Sequence, residues 1–188
     1  MRSQGIPGQD GGDVESRREH PRGKSEATRS NGAYAAVSMV LEGAPGRYRA
    51  LIVKRVDNAL DPWSGDWALP GGRMEASDPD LHATAVRETL EETGIDLSSS
   101  AEFMFDMDFF SPTNAPQMLV KPFVFRLIVP VEVRLSRELV DYIWAPLDDL
   151  RERADERGRP EFRLREGAVI WGMTARIIVE AKRRLGAR

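Results

Sequence analysis

The sequence predicts a mixed-sheet α/β layer fold, and three observations predict it. Short runs rich in Val, Ile, Leu and Ala alternate with turn residues, as half-buried strands do. A single acidic helical segment, Pro79 to Thr93, interrupts them. A second segment with apolar residues at helical spacing, Ala168 to Leu185, closes the chain. Strands interspersed with a few helices pack as helices against a sheet.

The elements follow in order. Residues 1–31 are rich in Gly, Ser, Arg and Glu and nearly lack large apolar groups. Such a segment cannot bury enough surface to offset its ordering entropy, so it reads as a disordered tail, with a folded domain from residue 32 to residue 188. Within it, Gly23-Lys24-Ser25 imitates the end of a phosphate-binding loop. The upstream glycine position is Arg18 and no strand precedes it, which rules that reading out. Tyr34–Leu41 and Arg49–Val56 read as strands around the turn Glu42-Gly43-Ala44-Pro45-Gly46. A loop with Pro62, Gly65, Pro70, Gly71 and Gly72 leads to the Pro79–Thr93 helix, closed by Gly94. Glu102–Phe110 and Met118–Val129 are expected strands, Val131–Leu135 and Tyr142–Trp144 short ones, and Pro146–Arg153 a helical turn or short helix. No internal repeat is present.

Bulk properties narrow the function. Of 188 residues, 41% are hydrophobic and 30% charged, with a net charge of −3 from interspersed acids and bases. That balance argues against a nucleic-acid or membrane-surface partner. The chain has no cysteine, which removes disulfides, thiolate nucleophiles and thiolate zinc sites. No apolar run reaches membrane-spanning length and the N-terminal stretch is polar, so a cytoplasmic protein is the default expectation. Oligomerisation is left open.

The chemistry concentrates in the Pro79–Thr93 helix. Glu88, Glu91 and Glu92 stand at i, i+3 and i+4, so their carboxylates share one face. Ala83, Val86, Leu90 and Thr93 form the opposite stripe, expected to press on the sheet with the acids pointing away. Arg87 lies one turn before Glu91 and can pair with it. A solvated acidic face is the ordinary explanation for such a pattern, but two costs oppose it. Glu88 and Glu92 repel at i, i+4 by roughly 0.2–0.5 kcal/mol. Glu91 and Glu92 also occupy the last helical turn, where the helix dipole disfavours anions. A bound cation offsets both. All-oxygen ligands without His or Cys select a hard ion, Mg²⁺ or Mn²⁺, which also binds substrate phosphates.

The stretch Gly72 … Asp78 … Arg87-Glu88-Thr89-Leu90-Glu91-Glu92-Thr93-Gly94-Ile95 resembles the Nudix box of the Nudix hydrolases. The box has a Gly, five residues, a Glu, seven residues, then Arg-Glu-aliphatic-x-Glu-Glu-x-Gly-aliphatic. Here Asp78 replaces the first Glu, eight residues follow it, and Thr89 stands at an aliphatic position. The resemblance spans about Ala33 to Leu185. It implies a Nudix-type α/β/α sandwich with a mixed central sheet, and hydrolysis of the diphosphate linkage in a nucleoside diphosphate-X compound. It implies Glu88, Glu91 and Glu92 as Mg²⁺ ligands with a backbone carbonyl of Gly72, and Arg87 as the residue orienting Glu91. Glu138, six residues before Trp144, resembles the family's second acidic site, a metal ligand or general base. Glu75 could join the metal's outer shell.

The Asp with eight residues, Thr84-Ala85-Val86-Arg87-Glu88, and Val169-Ile170-Trp171-Gly172-Met173-Thr174-Ala175 are similar to the coenzyme A diphosphatase branch. Trp63 stands where that branch usually carries a His, and Leu69 where it carries a Phe. The resemblance thus implies a nucleotide-type small-molecule substrate, coenzyme A-like first, then ADP-ribose or dinucleotides, then nucleoside triphosphates. A non-catalytic nucleotide sensor, or an RNA-end hydrolase using the tail, are the readings from other classes. Trp63 and Trp67 could stack on a base, as every base offers a π-face. Trp171, Met173, Ile177 and Ile178 are expected to pack the closing helix on the sheet. His82 receives no role.

Overall fold

The structure, a computed structural model, describes residues 33–59, 63–164 and 167–186. The proposed tail lies outside these residues. The first sheet comprises β1 (Tyr34–Glu42), β2 (Arg49–Arg55), β3 (Trp67–Ala68), β4 (Gly71–Arg73), β5 (Ala101–Asp106), β6 (Leu119–Leu127) and β7 (Leu139–Pro146). A second, three-stranded sheet comprises β8 (Glu152–Ala154), β9 (Pro160–Arg163) and β10 (Val169–Ile170). The helices are α1 (Leu81–Thr93), α2 (Leu97–Ser100) and α3 (Gly172–Leu185).

β1 is the organising strand. It runs parallel to β6 from Tyr34–Leu119 to Leu41–Arg126, and its seven central residues are all buried. A strand covered on both faces reads as an unbroken apolar run rather than an alternation. Its other edge has two partners: Ala35, Ala36 and Val37 pair antiparallel with Arg73, Gly72 and Gly71 of β4, whereas Leu41 and Glu42 pair with β2. Between these, the Ser38 N–H donates to the Pro70 carbonyl at 2.8 Å.

Successive residues of the sheet feed two cores. Val37, Met39, Leu41 and Ile52 meet Ala175, Ile177, Ile178 and Ala181 of α3 on one side. Ala36, Val40, Leu51 and Val53 meet Ala85 of α1, with Ile95 and Leu97 after it, on the other. This is the expected α/β/α sandwich with a mixed sheet. Among the described residues no helix is long and apolar enough to cross a membrane.

α1 starts at Leu81 rather than Pro79, because the Asp80 carboxylate caps it by accepting from the Ala83 N–H at 2.8 Å. Its end is as expected: Gly94 adopts φ 71° and its N–H donates to the Leu90 carbonyl. The face it buries differs from the expected stripe. Thr84, Ala85, Thr89, Glu92 and Thr93 are buried, and Leu90 is 46% exposed. Hydroxyls make this face compatible with a sheet. The Ser38 hydroxyl donates to the Ala85 carbonyl at 3.0 Å and accepts from the Thr89 hydroxyl at 2.8 Å, which itself lies 2.7 Å from the same carbonyl. Thr89 thus stands at an aliphatic position of the motif because Ser38 faces it. Thr89→Val should cost about 1–2 kcal/mol, since it leaves buried Ser38 without that donor. Ser38→Ala/Thr89→Val should cost less than the sum of the single changes, a coupling read by urea denaturation.

Other boundaries moved for identifiable reasons. Pro146 ends β7, in register with Arg49, so the expected Pro146–Arg153 helical turn is a turn followed by β8. Val131–Leu135 forms no strand. This segment instead runs past the end of α1, where the N–H groups of Arg134 and Ser136 donate to the carbonyls of Thr93 and Glu92. β5 stops at Asp106, leaving Phe110 a single bridge to Val120. Val169 and Ile170 pair with β9, so the closing helix begins only at Gly172.

Candidate active site

The site forms where α1 crosses β4. Gly71 has φ 152°, and a Cβ there would collide with the Ala36 carbonyl oxygen and lie 2.6 Å from the Val37 Cα. Only glycine permits this closeness of two strands. A Cβ on Gly72 would instead lie 2.5–2.6 Å from all three atoms of the Glu88 carboxyl group. The carboxylate therefore fills the volume that a side chain at 72 would take. One turn on, Glu92 Oε2 accepts the Gly71 N–H at 2.9 Å. Two acids of one helix thus converge on consecutive glycines of one strand.

Glu92 corrects the expectation that all three acids point away from the core: it is 6% exposed. Burial pushes its carboxyl up to about 7, reinforced by the charges of Glu88 and Glu138 and opposed by the Gly71 N–H and Arg55. Glu88 is raised as well, first by burial and also by Glu91 and Glu138, while Arg87 opposes. Glu138 is exposed, just ahead of β7, yet its charge acts on both Glu88 and Glu92; its carbonyl accepts the Val56 N–H at 2.9 Å. Glu91 is different. Its side chain is 58% exposed and paired to Arg87 Nη1 at 3.1 Å.

Arg87 does more than orient Glu91. Its Nε and Nη2 lie 3.0 Å from Asp78 Oδ1 and Oδ2, its Nη2 lies 3.0 Å from Glu88 Oε1, and it donates to the Arg73 carbonyl at 3.1 Å. Asp78 also accepts from the Glu75 N–H and the Thr84 hydroxyl, both at 2.9 Å, and the Asp78 N–H donates to the Glu75 carbonyl. That turn carries the shorter Asp, with its one extra residue, back onto α1. The Arg87 bond holds the Asp78 carboxyl well below the usual range. Glu75 lies at the edge of the cluster, 4.0 Å from Arg87 Nη1. One ammonium cannot reproduce this fork. Arg87→Lys should lower turnover about 10–100-fold, with the loss in kcat, as for groups that position ligands. Unchanged steady-state kinetics would remove Arg87 from the site.

The donor set fits a hard divalent cation in kind: carboxylate oxygens, two of them carrying charge against a burial penalty. Among the described residues, however, no three acidic groups are arranged to hold one as they stand. Glu91 is engaged by Arg87 instead.

Beside Gly71 and Gly72 opens a cavity of about 430 Å³, lined by Trp63, Trp67, Trp171, Arg55 and Arg159 among others. Trp63 and Trp67 line it while packing on the core, with the Trp63 indole N–H donating to Asn114 Oδ1 at 3.3 Å. Trp171 corrects its expected role: it is 47% exposed, borders the cavity, and donates its indole N–H to Asp66 Oδ1 at 3.1 Å. Met173, Ile177 and Ile178 do pack the closing helix on the sheet. Sequence reasoning missed Arg159, which lies in a charged stretch without periodicity. His82 is packed edge-on to Phe103 and Phe123, with ring centroids 5.5 and 5.4 Å away.

An acid-bearing helix crossing a diglycine strand, inside a mixed-sheet α/β/α sandwich, defines the class. The chain belongs to the NUDIX domain family, whose model matches residues 33–164. Two curated relatives place it further. It is 29% identical over 170 residues to Nudix hydrolase 22, chloroplastic, of Arabidopsis thaliana, covering 78% of this chain and 53% of that one. It is 33% identical over 113 residues to bis(5'-nucleosyl)-tetraphosphatase [asymmetrical] of Sus scrofa, covering 54% of this chain and 76% of that one. The chain spans 32% and 53% of the length of the first two curated relatives it matches. The NUDIX domain of Shewanella oneidensis NrtR, solved with ADP ribose, shares the fold at TM-score 0.56 and 17% identity, over 86% of this chain and 93% of that one.

Proposed function

We propose that the domain from residue 32 to residue 188 is a Mg²⁺-dependent diphosphatase of nucleoside diphosphate-X compounds, with Mn²⁺ able to substitute. The observation that carries this reading is Glu92. A carboxylate is buried against a glycine N–H, and beside the partly buried Glu88 carboxylate, at a cost in stability that a cation would cancel. Glu88, Glu92 and the Gly72 carbonyl would hold the ion, with Glu91 joining them on release from Arg87. When bound, such an ion neutralises the diphosphate and lowers the pKa of its water. The protein's own residues do the rest. Arg87, clamped by Asp78, holds Glu88 beside the diglycine and keeps Glu91 in reserve through its own ion pair. One carboxylate, either in the helix or Glu138 at the exposed edge of the cluster, would take the proton of the attacking water.

The cavity would receive the nucleotide or X. Its volume suits a nucleoside-sized group, and its lining includes three tryptophans and three arginines. A coenzyme A-like compound ranks first, on the Asp78 spacing and the Val169–Ala175 segment. Dinucleotides rank second, favoured by the 33% identity to the Sus scrofa tetraphosphatase. ADP-ribose and nucleoside triphosphates follow. A Mg²⁺-dependent screen over coenzyme A, ADP-ribose, dinucleotides and nucleoside triphosphates, with products weighed by mass spectrometry, decides among them. Cleavage inside the diphosphate of one compound supports the reading. Tight nucleotide binding with no turnover on any of them would make the chain a sensor instead.

A further inference from the structure

The hairpin joining β8 to β9 contributes Arg159 to the lining of the cavity, and nothing in the chemistry above uses it. Arg159 lines the cavity from the second sheet, whereas Arg55 and Arg73 approach it from the first, on the acid side. The charge of Arg55 acts on Glu92, and the Arg73 carbonyl is held by Arg87. Arg159 has no such tie. Its partner is Asp155, its neighbour on the hairpin, with Asp155 Oδ2 lying 2.7 Å from both Nε and Nη2.

Asp155 is itself fully occupied with holding that turn. Its Oδ1 accepts the N–H groups of Arg157 and Arg159 at 2.8 Å, and its own N–H donates to the Arg159 carbonyl at 2.8 Å. The guanidinium is thereby fixed along its Nε–Nη2 side. Its Nη1 has no partner among the described residues. A planar donor held on one side and open on the other is preorganised for an anion, and loses little freedom on binding one. The cavity around it is otherwise mostly apolar and aromatic, with few other groups to answer an anion there.

We propose that Arg159 is a specificity-determining residue: it recognises a phosphate group of the nucleotide other than the two phosphates that flank the bond to be cut. The preferred substrate then carries an additional phosphate, such as a monoester on the ribose. This rests on the cavity being the nucleotide subsite of the diphosphatase, so the test reads binding and requires no turnover. Calorimetric titration compares AMP, adenosine 2',5'-bisphosphate and adenosine 3',5'-bisphosphate on the full chain.

The unaltered protein should bind at least one bisphosphate about tenfold more tightly than AMP, and the position of the phosphate in the better ligand identifies its source. In Arg159→Gln that preference should fall to within about twofold, with AMP affinity unchanged; Arg159→Lys should retain part of it. If Arg159→Gln fails to fold, Asp155→Asn, which loosens the guanidinium without removing it, should reduce the preference severalfold. Equal affinity of the unaltered protein for all three nucleotides overturns the proposal, as does an equal loss for AMP and bisphosphate in Arg159→Gln. Should no nucleotide bind at all, the nucleotide subsite is wrong and the proposal falls with it, while the turnover screen decides the diphosphatase reading separately.

Discussion

Glu92→Gln should lower kcat on the order of a thousandfold and, in the same protein, raise the stability of the metal-free fold. The two effects have one cause. In the folded chain the Glu92 carboxyl is pushed up to about 7 by burial, whereas an unfolded chain releases that proton near 4.5. Between these values the native state holds more protons than the unfolded state, so stability falls as pH rises through the window. Below about pH 4.5 the cost is absent; above about pH 7 it is complete. Gln cannot ionise, yet its carbonyl still accepts the Gly71 N–H. Metal-free Glu92→Gln should therefore match the unaltered protein near pH 4.5 and exceed it by on the order of 2–3 kcal/mol near pH 8. Chemical denaturation at several pH values in the presence of a chelator measures this. A Gln variant that loses both activity and stability would mean that Glu92 is structural.

Gly72→Ala should abolish most of the activity while leaving the fold standing. The added methyl group meets the Glu88 carboxyl group, the far end of a flexible side chain, and not backbone. Glu88 can swing aside, but then leaves the position that the diglycine reserves for it. A displacement of about 1 Å at a reacting centre costs on the order of a hundredfold in rate. Gly71→Ala is the contrasting change. Its methyl group meets the Ala36 carbonyl and the Val37 backbone, which cannot move without opening the β1–β4 pairing, and its φ of 152° disfavours any L side chain. That variant should be destabilised by several kcal/mol, in the range of severe single changes. If Gly72→Ala unfolds as readily as Gly71→Ala, or both retain full turnover, the division between a scaffold glycine and a site glycine is wrong.

Much of this was legible in the residues. Helical spacing alone put Glu88, Glu91 and Glu92 on neighbouring positions of one helix. Spacing could not reveal that Glu92 faces inward. The buried face of α1 is built from Thr84, Ala85, Thr89 and Thr93, whose hydroxyls and small volumes give no apolar stripe, and the stripe drawn through Leu90 followed hydrophobicity instead. The partner that explains Thr89 is Ser38, fifty-one residues away, which no local pattern connects to it. The second sheet escaped for a similar reason. β8 is fully exposed and β9 buries little beyond Phe162, so neither alternates strongly; their pairing is set by the turn around Asp155 and Gly158. Arg159 and Trp171 were invisible as site residues because the cavity is assembled from segments more than a hundred positions apart, as the Trp171–Asp66 bond shows.

The proposed chemistry requires a divalent ion gripped by Glu88 and Glu92, the two glutamates that meet at the diglycine. Direct titration with Mn²⁺, followed by electron paramagnetic resonance of the free ion, measures that grip without substrate or turnover. The unaltered protein should bind Mn²⁺, and Glu88→Gln and Glu92→Gln should each weaken that affinity about tenfold or more. Equal Mn²⁺ affinity in all three proteins would contradict it.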